Sequence, residues 1–142
     1  MTRISAVTRS GTPISPAKLA EREVTRQVKD FMLYRGWRAV RMQRTVIAGA
    51  FQSGEPGIPD YLFLRYVSQA KAHVLAIWIE FKGPTGRVSE QQQIWHCDER
   101  LKGALVWVVD DFEWFAAEYD RLFGWLHSGE RAPGQLDMLV GM

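Results

Sequence analysis

An α/β domain is predicted, with a mixed central sheet of about four strands flanked by helices in the order α-β-β-β-α-β-α. Three observations predict it. An apolar stripe of helical spacing, Ala20, Val24, Val28, Phe31 and Met32, runs up to Gly36. Two apolar runs, residues 61–64 and 73–82, follow with a short polar connection between them. A capped helix from Ser89 then leads into the continuous apolar run at residues 104–109. Strand, helix and strand in that succession build a parallel pair with a helix on the sheet face.

Composition bounds the class. The chain has 142 residues, 46% hydrophobic and 24% charged, which suits one domain with a real core and excludes wholesale disorder. A net charge of +2 permits a nucleic-acid partner without requiring one. Cys97 is the single cysteine, which excludes an intrachain disulfide and a cysteine-based zinc centre. A reducing, cytoplasmic setting is the default expectation. No apolar run reaches the roughly 20 residues of a membrane span, and the N-terminal stretch lacks the apolar region of a secretory signal.

Residues 1–14 mix Thr, Ser, Arg, Gly and Pro and are expected to form a flexible arm. Ser15 reads as an N-cap and Pro16 as the first helical residue, so a helix is expected to about residue 34. Two carboxylates lie early in it. Glu23 falls on the polar flank and suits the positive helix N-terminus. Glu21 falls within the arc of Val28 and Met32, where a carboxylate needs a partner.

Residues 37–46 alternate loosely, Val40, Met42 and Val46 against Arg41 and Gln43, and predict a first strand. Residues 48–57 hold three glycines, Ser53 and Pro56, and predict a loop. Pro59-Asp60 opens the second strand at 61–64, residues 65–73 make a hairpin connection, and the third strand covers 73–82. After a turn at 83–88, Ser89 and Gln92 have capping-box spacing, which is a structural reason for Gln92 to be there. That helix ends at Gly103. The strand at 104–109 is apolar throughout, and the crossover into it is expected to be right-handed. Asp110-Asp111 cap a last helix through Trp114, Phe115, Tyr119, Leu122 and Leu126. A single domain is expected over 15–127, with a tail over 128–142.

The chemistry centres on residues 77–82, Ile-Trp-Ile-Glu-Phe-Lys. Side chains alternate along a strand, so Glu80 and Lys82 share one face and Ile77, Ile79 and Phe81 the other. Asp60 sits at the mouth of the neighbouring strand. Two carboxylates at adjacent strand ends suit a hard divalent cation such as Mg²⁺. A lysine beside them stabilises charge on a phosphate or positions and deprotonates a water. Glu21, reaching in from the first helix, adds an outer ligand or holds a second ion. These parts suit phosphodiester hydrolysis. The alternative is a buried Glu-Lys ion pair with Asp60 as a turn cap, but such pairs seldom repay their desolvation. His73 and His96 are too isolated to suggest a histidine metal site, and Trp78, Trp95 and Trp107 read as core.

Pro59-Asp60 followed by Glu80-Phe81-Lys82 resembles the Pro-Asp…(Asp/Glu)-X-Lys signature of the PD-(D/E)XK nuclease superfamily. More narrowly, three blocks resemble the VRR-Nuc domain. They are Gly57-Ile58-Pro59-Asp60, Trp78-Ile79-Glu80-Phe81-Lys82-Gly83-Pro84, and Arg87-Val88-Ser89-Glu90-Gln91-Gln92-Gln93-Ile94-Trp95. That domain stands alone in phage and bacterial proteins and ends the Fanconi-anaemia-associated nucleases. Ala20-Glu21-Arg22-Glu23-Val24 is similar to the opening of archaeal Holliday-junction resolvases of the same superfamily. The likeness covers about residues 17–110.

The resemblance implies a restriction-endonuclease-like core. It implies metal ligation by Asp60, Glu80 and the backbone carbonyl of Phe81, with Lys82 as catalytic lysine and Gln92 as the supporting helix glutamine. Glu21 matches the helix-one glutamate, with Glu23 as the alternative. Mg²⁺ or Mn²⁺ is the implied cofactor and DNA the partner, a lone domain of this type acting as a homodimer on branched DNA such as a Holliday junction. A monomeric flap- or end-processing nuclease and a catalytically idle DNA-binding subunit are the rival readings. One stretch departs from the family: asparagine with glycine is common after the first strand, where this chain has Met42-Gln43-Arg44 and then Gly49. Arg38, Arg41, Arg44, Arg87 and Lys102 are candidates for phosphate contacts, each equally readable as solvated surface charge. The last helix, with Trp114, Phe115, Phe123 and Trp125, is either a dimer interface or buried in its own core.

Overall fold

The computed structural model describes residues 13, 15–42, 45–47, 50–52, 55–68 and 71–128. Its elements are α1 (Pro16–Tyr34), β1 (Arg38–Arg41), β2 (Thr45–Ile47), β3 (Ala50–Gln52), β4 (Tyr61–Ser68) and β5 (His73–Phe81), then α2 (Glu90–Leu101), β6 (Leu105–Val109), α3 (Phe112–Phe123) and α4 (Trp125–Ser128). The main sheet has the order β1-β4-β5-β6. Its first two pairings are antiparallel and β5 runs parallel to β6. This is the mixed four-stranded sheet with flanking helices of the restriction-endonuclease-like core.

Alternation along β4 and β5 decides which side is which. Tyr61, Phe63, Ile77, Ile79 and Phe81 turn to one face and are buried there with Val28 and Met32 of α1 and Phe115, Tyr119 and Phe123 of α3. Phe31 meets the rings of Phe112, Phe115 and Tyr119 edge-on at 5.0–5.7 Å, which locks α1 against α3. Trp37 closes this core and donates from Nε1 to the Tyr119 hydroxyl at 2.8 Å. The opposite face receives α2, where Trp78 packs edge-on against Trp95 at 5.0 Å. Each fully buried Ile or Phe contributes about 1.5–3 kcal/mol, so the apolar side of β5 can offset the cost of charges on the other side.

Several expectations are corrected. The first strand ends at Arg41, and the Met42 N–H, donating to the Asp60 carbonyl at 2.8 Å, carries its pairing with β4 one residue further before the chain leaves the sheet. Val46 therefore lies outside it. Residues 45–47 pair instead with 50–52 as a separate two-stranded sheet, so the stretch expected to be all loop contains β3. The second strand runs past residue 64 to Ser68, paired with β5 through a register shift between Tyr66 and Ser68. The last helix breaks at Gly124 before α4, glycine being the poorest helix former after proline. Within α3, Phe115 and Phe123 are buried in the domain's own core, while Trp114 is 45% exposed. Arg44, the arm expected over residues 1–14 (apart from Pro13) and the tail expected over 128–142 (apart from Ser128, which ends α4) lie outside the described residues. No helix among the described residues is long and apolar enough to cross a membrane.

Candidate active site

The site forms where β5 ends and β4 begins. The Lys82 N–H donates to the Val109 carbonyl at 3.0 Å, which carries the β5–β6 pairing one residue past the strand and keeps Lys82 extended. Lys82 thus stays on the face of Glu80, with Nζ 3.2 Å from Glu80 Oε1. Across the sheet, Asp60 Oδ2 accepts from the Phe81 N–H at 2.9 Å. A side-chain carboxylate stands where a strand would offer its next carbonyl, which sets it beside Glu80.

α2 supplies the third part through its cap. Ser89 Oγ accepts from the Gln92 N–H at 3.2 Å, and Gln92 Oε1 accepts from the Ser89 N–H at 2.9 Å. With its oxygen engaged by a donor, the Gln92 amide must turn its nitrogen away, and Nε2 donates to Glu80 Oε1 at 2.7 Å. One Gln92 amide therefore both completes the capping box and aims a donor at Glu80.

Two glycines permit the approach of the walls. Gly57 has φ +86°, and a Cβ there would collide with the Gln91 carbonyl oxygen, so the segment leading to Asp60 can lie on the first turn of α2 only as glycine. Trp95 Nε1, donating to Glu55 Oε2 at 2.8 Å, ties the same segment to α2. At Gly83 a Cβ would stand 2.6 Å from the Ala17 carbonyl oxygen, so the start of α1 sits directly against the end of β5.

Glu80 is only 2% exposed. Its Oε1 has two donors, whereas Oε2 is buried without a partner. Burial first, and then the nearby Asp60 charge, push its carboxyl up to about 7, with Lys82 pulling the other way but not cancelling them. His96 is equally buried, and burial, followed by Arg100 and Lys82, lowers its pKa. Among the described residues no group of three or more His, Cys, Asp or Glu side chains converges as a metal cage.

These residues line an open cleft of about 1210 Å³, wider than the 300–1,000 Å³ typical of small-molecule pockets. Asp60, Glu80, Lys82 and Gln92 all face it, and so does Glu21, whose Oε1 is 3.8 Å from Lys18 Nζ. Glu23 faces elsewhere, engaged by Arg26 at 2.6 Å. Of the candidate phosphate-binding residues, Arg41 lines the cleft. Arg38 donates instead to the Tyr66 hydroxyl, Lys102 lies 3.6 Å from Glu99, and Arg87 sits exposed in the turn before α2. Sequence reasoning missed Lys18 and Arg22, which line the cleft from α1. Their signal was there, an i,i+4 cationic pair flanking Glu21.

Two carboxylates, one with an unpartnered buried oxygen, form an oxygen donor set that fits a hard divalent cation, with the Lys82 ammonium beside it. The chain matches no curated protein and no solved structure. A model of the VRR-NUC domain matches residues 22–109, more than half of the chain, and that span contains β1 to β6 together with Asp60, Glu80, Lys82 and Gln92. The chain belongs to the VRR-NUC domain family, a nuclease family of the PD-(D/E)XK type.

Proposed function

We propose that this protein is a DNA endonuclease that hydrolyses phosphodiester bonds with Mg²⁺ or Mn²⁺ and acts as a homodimer on branched DNA such as a Holliday junction. Family membership supports the nuclease activity. The observation that carries the site is the meeting of Asp60, Lys82 and Gln92 around a Glu80 whose Oε2 is buried and unpartnered. Asp60, Glu80 and the Phe81 carbonyl would hold the cation, and Glu21 on the α1 wall would serve an outer position. When bound, such an ion stabilises charge on the phosphate and lowers the pKa of water.

The chain's own groups do the rest. Gln92 and Lys82 hold Glu80 Oε1, leaving Oε2 for the ion. Lys82 Nζ, beside the same oxygen, donates to the attacking water or to a phosphate oxygen as negative charge builds. The water oxygen bonds to phosphorus, the bond to the leaving sugar oxygen breaks, the water yields a proton and the sugar oxygen takes one up. Branched DNA and the homodimer rest on the resemblance to junction resolvases, since two paired nicks need two sites.

The test is a panel of junction, flap, duplex and single-stranded DNA with each metal, against an EDTA control. Asp60→Ala and Lys82→Ala should each abolish cutting and leave DNA binding largely intact, and normal cutting by both would refute the site. Preference for flaps or ends by a protein that is monomeric in light scattering would favour the end-processing reading. Metal-independent binding with no cleavage of any substrate would favour the idle subunit.

A further inference from the structure

We propose that one flank of α1 is a track for a single DNA strand, holding successive phosphates with Lys18, Arg22 and Lys29 and delivering the strand into the cleft beside Arg41. This rests on the nuclease reading above. At about 100° per residue, positions 18, 22 and 29 fall within about 40° of arc, one row along the helix. The row lies to the side of the buried Val28 and Met32, neither in the core nor on the fully outward face. Lys18, Arg22 and Arg41 line the cleft itself. Lys29 lies further along and is held with Nζ 5.3 Å from the centroid of the Tyr61 ring. Tyr61 also lines the cleft and is the register partner of Arg41, so the row and the edge strand meet there.

The ion pairs separate these cations from ordinary surface charge. Arg26, on the outward face of α1, is fixed between Glu23 at 2.6 Å and Asp30 at 3.0 Å. Among the described residues Arg22, Lys29 and Arg41 form no salt bridge, and Lys18 has only the 3.8 Å approach to Glu21. Apart from Lys82 at the end of β5, the other described residues that line the cleft, among them Glu55, Ile58 and Gln91, bring no cation. Positive charge on one wall suits one phosphate backbone rather than the two of a straddled duplex. From position 18 to 29 the helix rises about 16 Å, which at the duplex rise of about 3.4 Å per nucleotide of one strand spans about five nucleotides, the upper limit for a more extended strand.

The experiment measures binding in EDTA and steady-state cutting with Mn²⁺ for wild type, Arg22→Ala, Lys29→Ala, the double variant and Lys29→Arg, over a range of salt. Substrates carry the cut strand at full length or trimmed to fewer than about five nucleotides on the α1 side. Each alanine variant should raise KM about 3- to 10-fold with kcat within about twofold. Each should also flatten the log–log salt dependence by about 0.7. Lys29→Arg should restore both, and Lys29→Ala should be indifferent to trimming that weakens wild type. Arg121→Ala, which breaks only a surface pair with Glu118, is the control. Wild-type KM and salt slope in Lys29→Ala and Arg22→Ala, in a protein that cuts DNA, would overturn the track alone. A flattened slope without any cleavage would keep the track and overturn the nuclease reading, and no DNA binding at all would overturn both.

Discussion

Replacing Glu80 by Gln should change how the stability of the metal-free protein depends on pH. In the folded protein the Glu80 carboxyl is pushed up to about 7, against 4.5 in the unfolded chain, mainly by burial and secondly by Asp60. Between these values the folded state keeps a proton that the unfolded state has released. Stability from this group is therefore complete below about pH 4.5 and is lost as pH rises through about 7. The gap between about 7 and 4.5, at about 1.36 kcal/mol per pH unit, comes to about 3 kcal/mol. Gln does not titrate. The stability of Glu80→Gln minus that of wild type should thus rise by about 3 kcal/mol from pH 4.5 to pH 8. An amide nitrogen without a partner in the place of Oε2 costs about 1–3 kcal/mol at every pH, and this offset cancels in the comparison. Urea denaturation of both proteins in EDTA at half-unit steps of pH is the assay. Two curves that stay parallel within about 0.5 kcal/mol would refute the burial argument. Mn²⁺ should stabilise wild type most above pH 7, where the carboxylate is ionised, and should stabilise Glu80→Gln far less.

Gln92→Ala removes both the cap on Ser89 and the donor to Glu80. It should cost about 1–3 kcal/mol in thermal melts and lower single-turnover cutting about 10- to 100-fold. Gln92→Glu should regain the cap but not the activity, because it sets a carboxylate against Glu80. Gly57→Ala combines a positive φ with a collision at Gln91 and should cost at least about 2 kcal/mol while displacing Asp60. Wild-type stability and cutting in that variant would show that the segment before Asp60 does not depend on its seat on α2.

Features written in local spacing were legible in the sequence. The Ser15-Pro16 start of α1, the Ser89–Gln92 capping box and the apolar run of β6 each depend on neighbours within a turn or a strand. The shared face of Glu80 and Lys82 follows from the strand period alone, and angular position on the helix separates Glu21 from Glu23. The β2–β3 pair was not legible, because three-residue strands in a glycine- and alanine-bearing stretch have no period to read, and their pairing is all that defines them. Lys18 and Arg22 needed the seating of α1 on Gly83, a contact between residues far apart in the chain. The unpartnered oxygen of Glu80 required knowing that Gln92 and Lys82 both bind its other oxygen. Trp95 read as core, and its bond to Glu55 depends on where the intervening chain returns.

The hydrogen bond from Met42 to the Asp60 carbonyl closes the main sheet at the point where the chain leaves it for β2 and β3. Everything between those two residues is an excursion with its base already stapled, and Glu55 on Trp95 gives it a second fastening near its return. Closing such a detour costs little more when it lengthens, since the entropy grows only with the logarithm of its length. The excursion can therefore be shortened, extended or exchanged for a foreign hairpin while the strands beneath keep their register. A graft that retains Met42, Glu55 and Gly57 to Asp60 would change the rim of the cleft and leave Asp60, Glu80 and Lys82 where they stand.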